Sequence, residues 1–221
     1  MKRDLENFGV LITGGGTGIG KACAAEMYSH GALVTICGRT EENLKQSVQE
    51  IVENHQDGGV IQYVTCDVTD EEQVLETVLA ADEFGEGLDG VVANAGGGGA
   101  IVPYHMQTAE EFSRVLNLNV LGTMLCIKHA VPMLRKSDKA SFVGMSSIAS
   151  HLTHLWFGAY PAAKAGIEAI IRKHGADLHN DWWTHTKEGY YQFVDQNIKD
   201  NATHKPWSCH HLPQGAHRKR T

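Results

Sequence analysis

The 221-residue chain carries a net charge of −7, a pI near 6.0 and 42% hydrophobic residues. That suits one domain with a sizeable core and argues against a dedicated nucleic-acid binder, whose field would be positive. No run approaches the ~18 apolar residues of a membrane span, and Met1-Lys2-Arg3-Asp4-Leu5-Glu6 lacks an apolar signal core, so a cytoplasmic protein is expected.

The first apolar run, Phe8 to Thr13, reads as a buried strand. Gly18 to His30 reads as a helix, with Ile19, Cys23 and Met27 recurring on one face. A strand over Ala32–Cys37 and a helix over 41–55 follow, the latter with Leu44, Val48, Ile51 and Val52 at helical spacing. Val60–Cys66 is a third strand, and 70–84 a helix capped by Thr69 or Asp70. Leu88–Ala93 is a fourth strand, 109–134 a long helix, Ala140–Met145 a fifth strand, and 160–178 the last periodic helix. Apolar strands alternating with helices of this length build a parallel sheet covered on both faces, a doubly wound three-layer α/β fold over residues 1–178. The five cysteines form no Cys-x-x-Cys pair and are read as buried free thiols, and no metal is expected.

Seventeen of the 24 glycines fall in the first 100 residues, with clusters at Gly14–Gly20 and Gly96–Gly99. Between the first strand and first helix stands Thr13-Gly14-Gly15-Gly16-Thr17-Gly18-Ile19-Gly20. Gly14 serves a tight turn, Gly18 lets a pyrophosphate approach, and Gly20 lets helix pack on strand. The helix N-terminus offers free N–H groups and partial positive charge to that phosphate. The spacing is not that of a P-loop, which disfavours ATP. The second strand ends without a carboxylate and Arg39 follows, which favours NADP(H), with NAD(H) as the alternative. Asp67 is a candidate for the adenine amine or simply a turn residue.

Tyr160 and Lys164 stand four apart on the last helix and face the same way. A cation beside a phenol favours the phenolate, which makes Tyr160 a usable proton donor and acceptor. Ser146 and Ser147 follow the fifth strand at the carboxyl edge of the sheet, where ligands bind in such folds. A serine hydroxyl there can donate to a carbonyl oxygen. Asn119 shares the inward helix face of Phe112 and Leu116, either a functional group or a satisfied core amide. Asn94-Ala95-Gly96 follows the fourth strand, where it can brace the sheet and leave room for a cofactor.

Together TGGGTGIG, CDV, NAGG, the Asn of NLNVLGT, the second Ser of SSIAS and YPAAK resemble the short-chain dehydrogenase/reductase family, with Ser147 standing 13 residues before Tyr160. The resemblance covers about residues 5–178 and implies a Rossmann-like fold. It implies hydride transfer between NADP(H) and a small-molecule ketone or secondary alcohol. Tyr160 would be the general acid/base and Lys164 would hold the nicotinamide ribose and favour the phenolate. Ser147 would polarise the carbonyl, and Asn119 would hold a water linking Lys164 to solvent. Cofactor contacts would come from Gly14, Gly16, Thr17, Gly18, Ile19, Gly20, Arg39, Asp67, Val68, Asn94, Ala95, Gly96, Tyr160 and Lys164. A homo-oligomer built on the long helices is implied, with no nucleic-acid or membrane partner.

The family's sixth strand, Asn-Ala turn, Pro-Gly pair, substrate lid and seventh strand are not recognisable after Leu178. Seven of the 13 histidines and three of the four tryptophans lie beyond residue 170. Residues 179–221 therefore read as an atypical tail: a frameshifted or altered C-terminus, a lineage-specific extension, or a metal site drawing on His204, Cys209, His210, His211 or His217. A catalytically impaired NADP(H)-binding protein is the second functional reading.

Overall fold

The structure, a computed structural model, describes residues 4–152 and 155–177. The tail at 179–221 and its candidate histidines and cysteine lie outside the described residues.

The elements are β1 (Gly9–Thr13), α1 (Gly18–Ser29), β2 (Leu33–Gly38), α2 (Glu41–Asn54), β3 (Val60–Thr65), α3 (Glu71–Phe84), β4 (Gly90–Ala93), α4 (Ala109–Leu116), a π-helical segment (Asn117–Leu121), α5 (Gly122–Leu134), β5 (Ser141–Gly144) and α6 (Ala159–Asp177). Short 3₁₀ turns occupy Tyr104–Met106 and Ile148–Ser150. All pairings are parallel and the strand order is β3-β2-β1-β4-β5. The chain builds outward from β1 to β3, then crosses back to β4 and continues to β5. Right-handed crossovers therefore put α1 and α2 on one face of the sheet and α3 and α5 on the other. The reversal between β1 and β4 opens a crevice at the carboxyl ends of those strands. The doubly wound α/β reading holds, and among the described residues β5 is an edge strand.

β1 is central, and all five of its residues are buried. One cluster packs Leu11, Val91 and Phe142 of the sheet against Val74 and Val78 of α3 and Leu125, Ala130 and Leu134 of α5. Asp70 caps α3, its Oδ1 accepting from the N–H groups of Glu72 and Gln73 at 3.0 and 3.2 Å. Cys37, Cys66 and Cys126 are buried free thiols and Cys23 is half-buried. Burial pushes the Cys126 thiol up to about 12, which leaves it protonated and inert.

Two helix faces differ from the expected ones. The core side of α1 is Gly20, Ala24 and Tyr28, one position on from Ile19, Cys23 and Met27. Small residues win because the helix lies so close to the sheet that a Cβ on Gly20 would stand 2.3 Å from the Gly14 carbonyl oxygen. Gly20→Ala is therefore expected to cost about 1–3 kcal/mol through overpacking, measured as a lowered midpoint of urea unfolding; an unchanged midpoint would refute the close approach. On α2 the buried face is Leu44, Ser47 and Ile51, with Val52 exposed. Ser47 is there because its Oγ donates to the Gly15 carbonyl oxygen at 3.1 Å and so fastens the glycine loop.

The stretch Ala109–Leu134 is, by length and a mean hydropathy of 1.2, apolar enough to cross a membrane. In the structure its α5 part packs on α3 and the sheet, and Asn119 is fully buried. No single apolar run revealed this, because the averaging spans polar residues such as Asn117 and Asn119.

Candidate active site

The glycine loop is built as its spacing requires. Gly14 and Gly18 adopt φ values of +67° and +55°, in the left-handed region that favours glycine. A Cβ on Gly18 would meet nothing within 4 Å, so the loop presents bare backbone to open space. Thr17 precedes α1 without capping it, which leaves the first N–H groups of the helix available to an anion. A cavity of about 210 Å³ lies beside the loop, lined by Gly16, Thr17, Gly18, Lys21, Asn43, Gln46 and Ser47. Ile19 is 61% exposed, an unusual position for a large apolar side chain and consistent with a place on the rim of a binding crevice.

The crevice floor is tied across β1 and β4. Asn94 Nδ2 donates to the carbonyl oxygens of Thr13 and Gly14 at 3.0 and 3.3 Å, and the Ala95 N–H donates to Thr13 Oγ1 at 2.9 Å. Asn94 therefore braces the sheet. Thr13 is a member of this brace that spacing alone did not single out. Gly96 must be glycine, since a Cβ there would lie 2.5 Å from Asn119 Oδ1 and 3.3 Å from Lys164 Nζ.

At the other end of the crevice Arg39 is exposed just past β2. Asp67 Oδ1 accepts from both the N–H and the hydroxyl of Thr69, at 2.9 and 2.8 Å, so one carboxylate oxygen organises a turn. The Val68 side chain is buried in the core against Gly122. An apolar side chain flanking a strand end follows the core, and only the Val68 backbone remains for a ligand.

The reactive constellation comes from three elements, α6, the loop after β5 and the π-helical segment. Lys164 is 4% exposed; its Nζ donates to the Met145 carbonyl oxygen at 2.8 Å and lies 5.5 Å from the centre of the Tyr160 ring. Burial alone pulls its pKa down to about 8. Ser147 opens the 148–150 turn, where its Oγ accepts from the Ala149 N–H at 3.2 Å. Its neighbour Ser146 shares its single hydroxyl proton between the Lys164 carbonyl oxygen at 3.2 Å and Glu168 Oε1 at 2.7 Å, which ties the loop after β5 to the turn of α6 that carries Tyr160 and Lys164.

Asn119 lies at the centre of the π-helical segment, the kind of local insertion often found at functional sites. Its Nδ2 donates to the carbonyl oxygens of Gly97 and Val115 at 2.9 and 2.8 Å, and its Oδ1 accepts from the Gly97 N–H at 3.3 Å. Both amide hydrogens are thus spent inside the protein. Any water attached here would have to use the main-chain carbonyl, which already accepts from Thr123 Oγ1 at 2.7 Å, or the second lone pair of Oδ1. The structure brings Asn119, Lys164 and Gly96 together. Glu168, one turn beyond Lys164, binds the hydroxyls of Ser146 and Ser150 and was not singled out from the sequence. Its i+4 spacing from Lys164 was the available signal.

A family profile described as short chain dehydrogenase matches residues 9–181. The chain is 31% identical over 175 residues to the 2,5-dichloro-2,5-cyclohexadiene-1,4-diol dehydrogenase of Sphingobium indicum, covering 79% of this chain and 68% of that one. A short-chain type dehydrogenase/reductase from Mycobacterium ulcerans superposes with a TM-score of 0.77 at 38% identity, over 79% of this chain and 64% of that one. An NAD+-bound xylitol dehydrogenase superposes with a TM-score of 0.75 at 27% identity, over 80% and 66%. The chain thus spans about two thirds of the length of these relatives.

Proposed function

The chain belongs to the short-chain dehydrogenase/reductase family, and from that premise we propose that it transfers a hydride between NADP(H) and a ketone or secondary alcohol, with Tyr160 as general acid/base. The observation that carries this reading is the buried Lys164 ammonium beside the Tyr160 ring, with the Ser147 loop hydrogen-bonded to the same turn.

The residues present fit a dinucleotide. Bare backbone at Gly18, uncapped N–H groups at the start of α1 and the Cβ-free position at Gly96 make a cradle that larger residues would fill. Gly14, Gly16, Thr17, Gly18, Ile19 and Gly20 would hold the pyrophosphate side, and Asn94, Ala95, Gly96 and Lys164 the nicotinamide side. When bound, the nicotinamide supplies or accepts the hydride. Tyr160 gives its phenolic proton to the carbonyl oxygen during reduction and recovers it during oxidation. Ser147 donates a hydrogen bond to the same oxygen and fixes its position. The Lys164 charge stabilises the phenolate between these events.

Arg39 supports NADP(H) over NAD(H), since its guanidinium suits a 2′-phosphate. NADPH is expected to bind about tenfold more tightly than NADH in a fluorescence titration, and Arg39→Ala to erase that margin by weakening NADPH alone; one charge-assisted bond of ~1.5–3 kcal/mol is of that order. NADH binding as tightly as NADPH to the unaltered chain would end the argument from Arg39. A homo-oligomer through the 109–134 and α6 helices is part of this reading, with Met124 exposed on that stretch; light scattering of the purified chain tests it.

A second reading, an NADP(H)-binding protein that does not turn over, is favoured by the family match ending at residue 181. NADPH binding without hydride transfer across a panel of ketones, steroids, sugars and acyl thioesters would select it.

A further inference from the structure

Glu168 sits on α6 one turn beyond Lys164, and its side chain is 20% exposed. Its Oε1 accepts from Ser146 Oγ at 2.7 Å and also from Ser150 Oγ. Its Oε2 faces His151 Nε2 at 3.0 Å and Arg172 Nη1 at 3.6 Å. Ser150 Oγ additionally lies 2.6 Å from the Ser147 carbonyl oxygen. One carboxylate oxygen thus holds the residue before Ser147 and the residue three after it.

We propose that Glu168 is a positioning residue: it clamps the loop carrying Ser147 onto the helix carrying Tyr160 and Lys164, and so fixes the distance between hydrogen-bond donor and general acid. The geometric requirement is severe, because a misplacement of about 1 Å in a reacting group can cost 10²-fold in rate. Both oxygens carry partners, so the carboxylate is not free to reach a substrate. Burial opposes ionisation of Glu168, but hydrogen bonds from Ser150 and Ser146 and the charges of His151 and Arg172 outweigh it and hold the carboxyl below its ordinary range. It therefore acts as an acceptor-only group, which two donating hydroxyls require.

This proposal rests on the oxidoreductase reading for its kinetic arm but not for its structural one. Three variants are compared with the full-length chain by hydrogen exchange and by steady-state kinetics. In Glu168→Ala, amide exchange over residues 146–152 is expected to rise at least tenfold, with α1 and β1 unchanged. Glu168→Gln keeps one carbonyl acceptor and should restore protection to within about threefold of the parent. Arg172→Ala, which removes only the distant ion pair, should leave the segment untouched. Where the parent turns over, Glu168→Ala should lower kcat about 30-fold, with NADPH affinity within twofold and Glu168→Gln rescuing most of the loss. Equal exchange in all three variants would overturn the clamp, whatever the activity. Faster exchange together with an unchanged kcat would overturn the positioning role. Absence of turnover in the parent would count against the oxidoreductase reading alone, and the exchange result would still decide the clamp.

Discussion

Tyr160→Phe is expected to lower kcat by about 10³-fold, within the range that general acid–base groups contribute. The substitution removes one oxygen and leaves the ring that lies 5.5 Å from Lys164 Nζ. Neither the glycine loop nor the Asn94 brace touches that oxygen, so NADPH affinity should stay within about twofold. The measurement pairs a fluorescence titration with initial rates on whichever carbonyl substrate the parent reduces. Hydride transfer unaffected by the loss of the phenol would sink the mechanism, because no other described side chain beside Lys164 is placed to give and recover the proton. Loss of cofactor binding together with rate would show that the variant disturbs the crevice.

Lys164→Met should separate catalysis from stability. Without the ammonium nothing favours the phenolate, and kcat is expected to fall on the order of 10²-fold or more. Stability should move the other way. The folded Lys164 titrates at about 8, below the ordinary value of 10.5, because burial penalises its charge. Below pH 8 both folded and unfolded chains hold the proton, and the whole cost of the buried charge is felt. Between pH 8 and 10.5 the unfolded chain binds more protons, so stability rises with pH, by about 3 kcal/mol at most. The methionine variant lacks that rise. It also loses the hydrogen bond to the Met145 carbonyl oxygen, worth about 1 kcal/mol. At pH 7 it is therefore expected to be more stable than the parent by about 1–2 kcal/mol, with the difference shrinking towards pH 10. Urea unfolding of both proteins at pH 7 and pH 10 checks the sign; a difference independent of pH would contradict a buried charge. Such a site holds binding or catalytic capacity at the expense of stability.

Much of this was legible in the residues. β1, α1, β2 and α2 begin and end within about two positions of where apolar runs, glycines and caps place them, because each signal is local. The loop from Gly14 to Gly20 was legible for the same reason: its φ angles and its exposed helix N-terminus depend on neighbours in the chain. The helix faces were less legible. Ile19 was expected to share the buried side of α1, yet Gly20 is buried and Ile19 is exposed. Hydrophobic periodicity measures what a helix could bury, whereas how closely it approaches the sheet decides which residues fit there.

The sequence by itself determined the order of strands and helices, the phosphate-type turn and the residue types at each end of the crevice, since these follow from composition and spacing along one dimension. Only the tertiary structure decided what those residues do to one another. It spent both amide hydrogens of Asn119 on Gly97 and Val115, buried Val68 in the core and stripped water from Lys164. It also placed Glu168 across from two serines on a different element. Apart from the Asn119–Val115 bond, which spans one helical turn, these depend on contacts between residues 18 to 54 positions apart in the chain, where hydrogen-bond partners and loss of solvent arise only when the layers close.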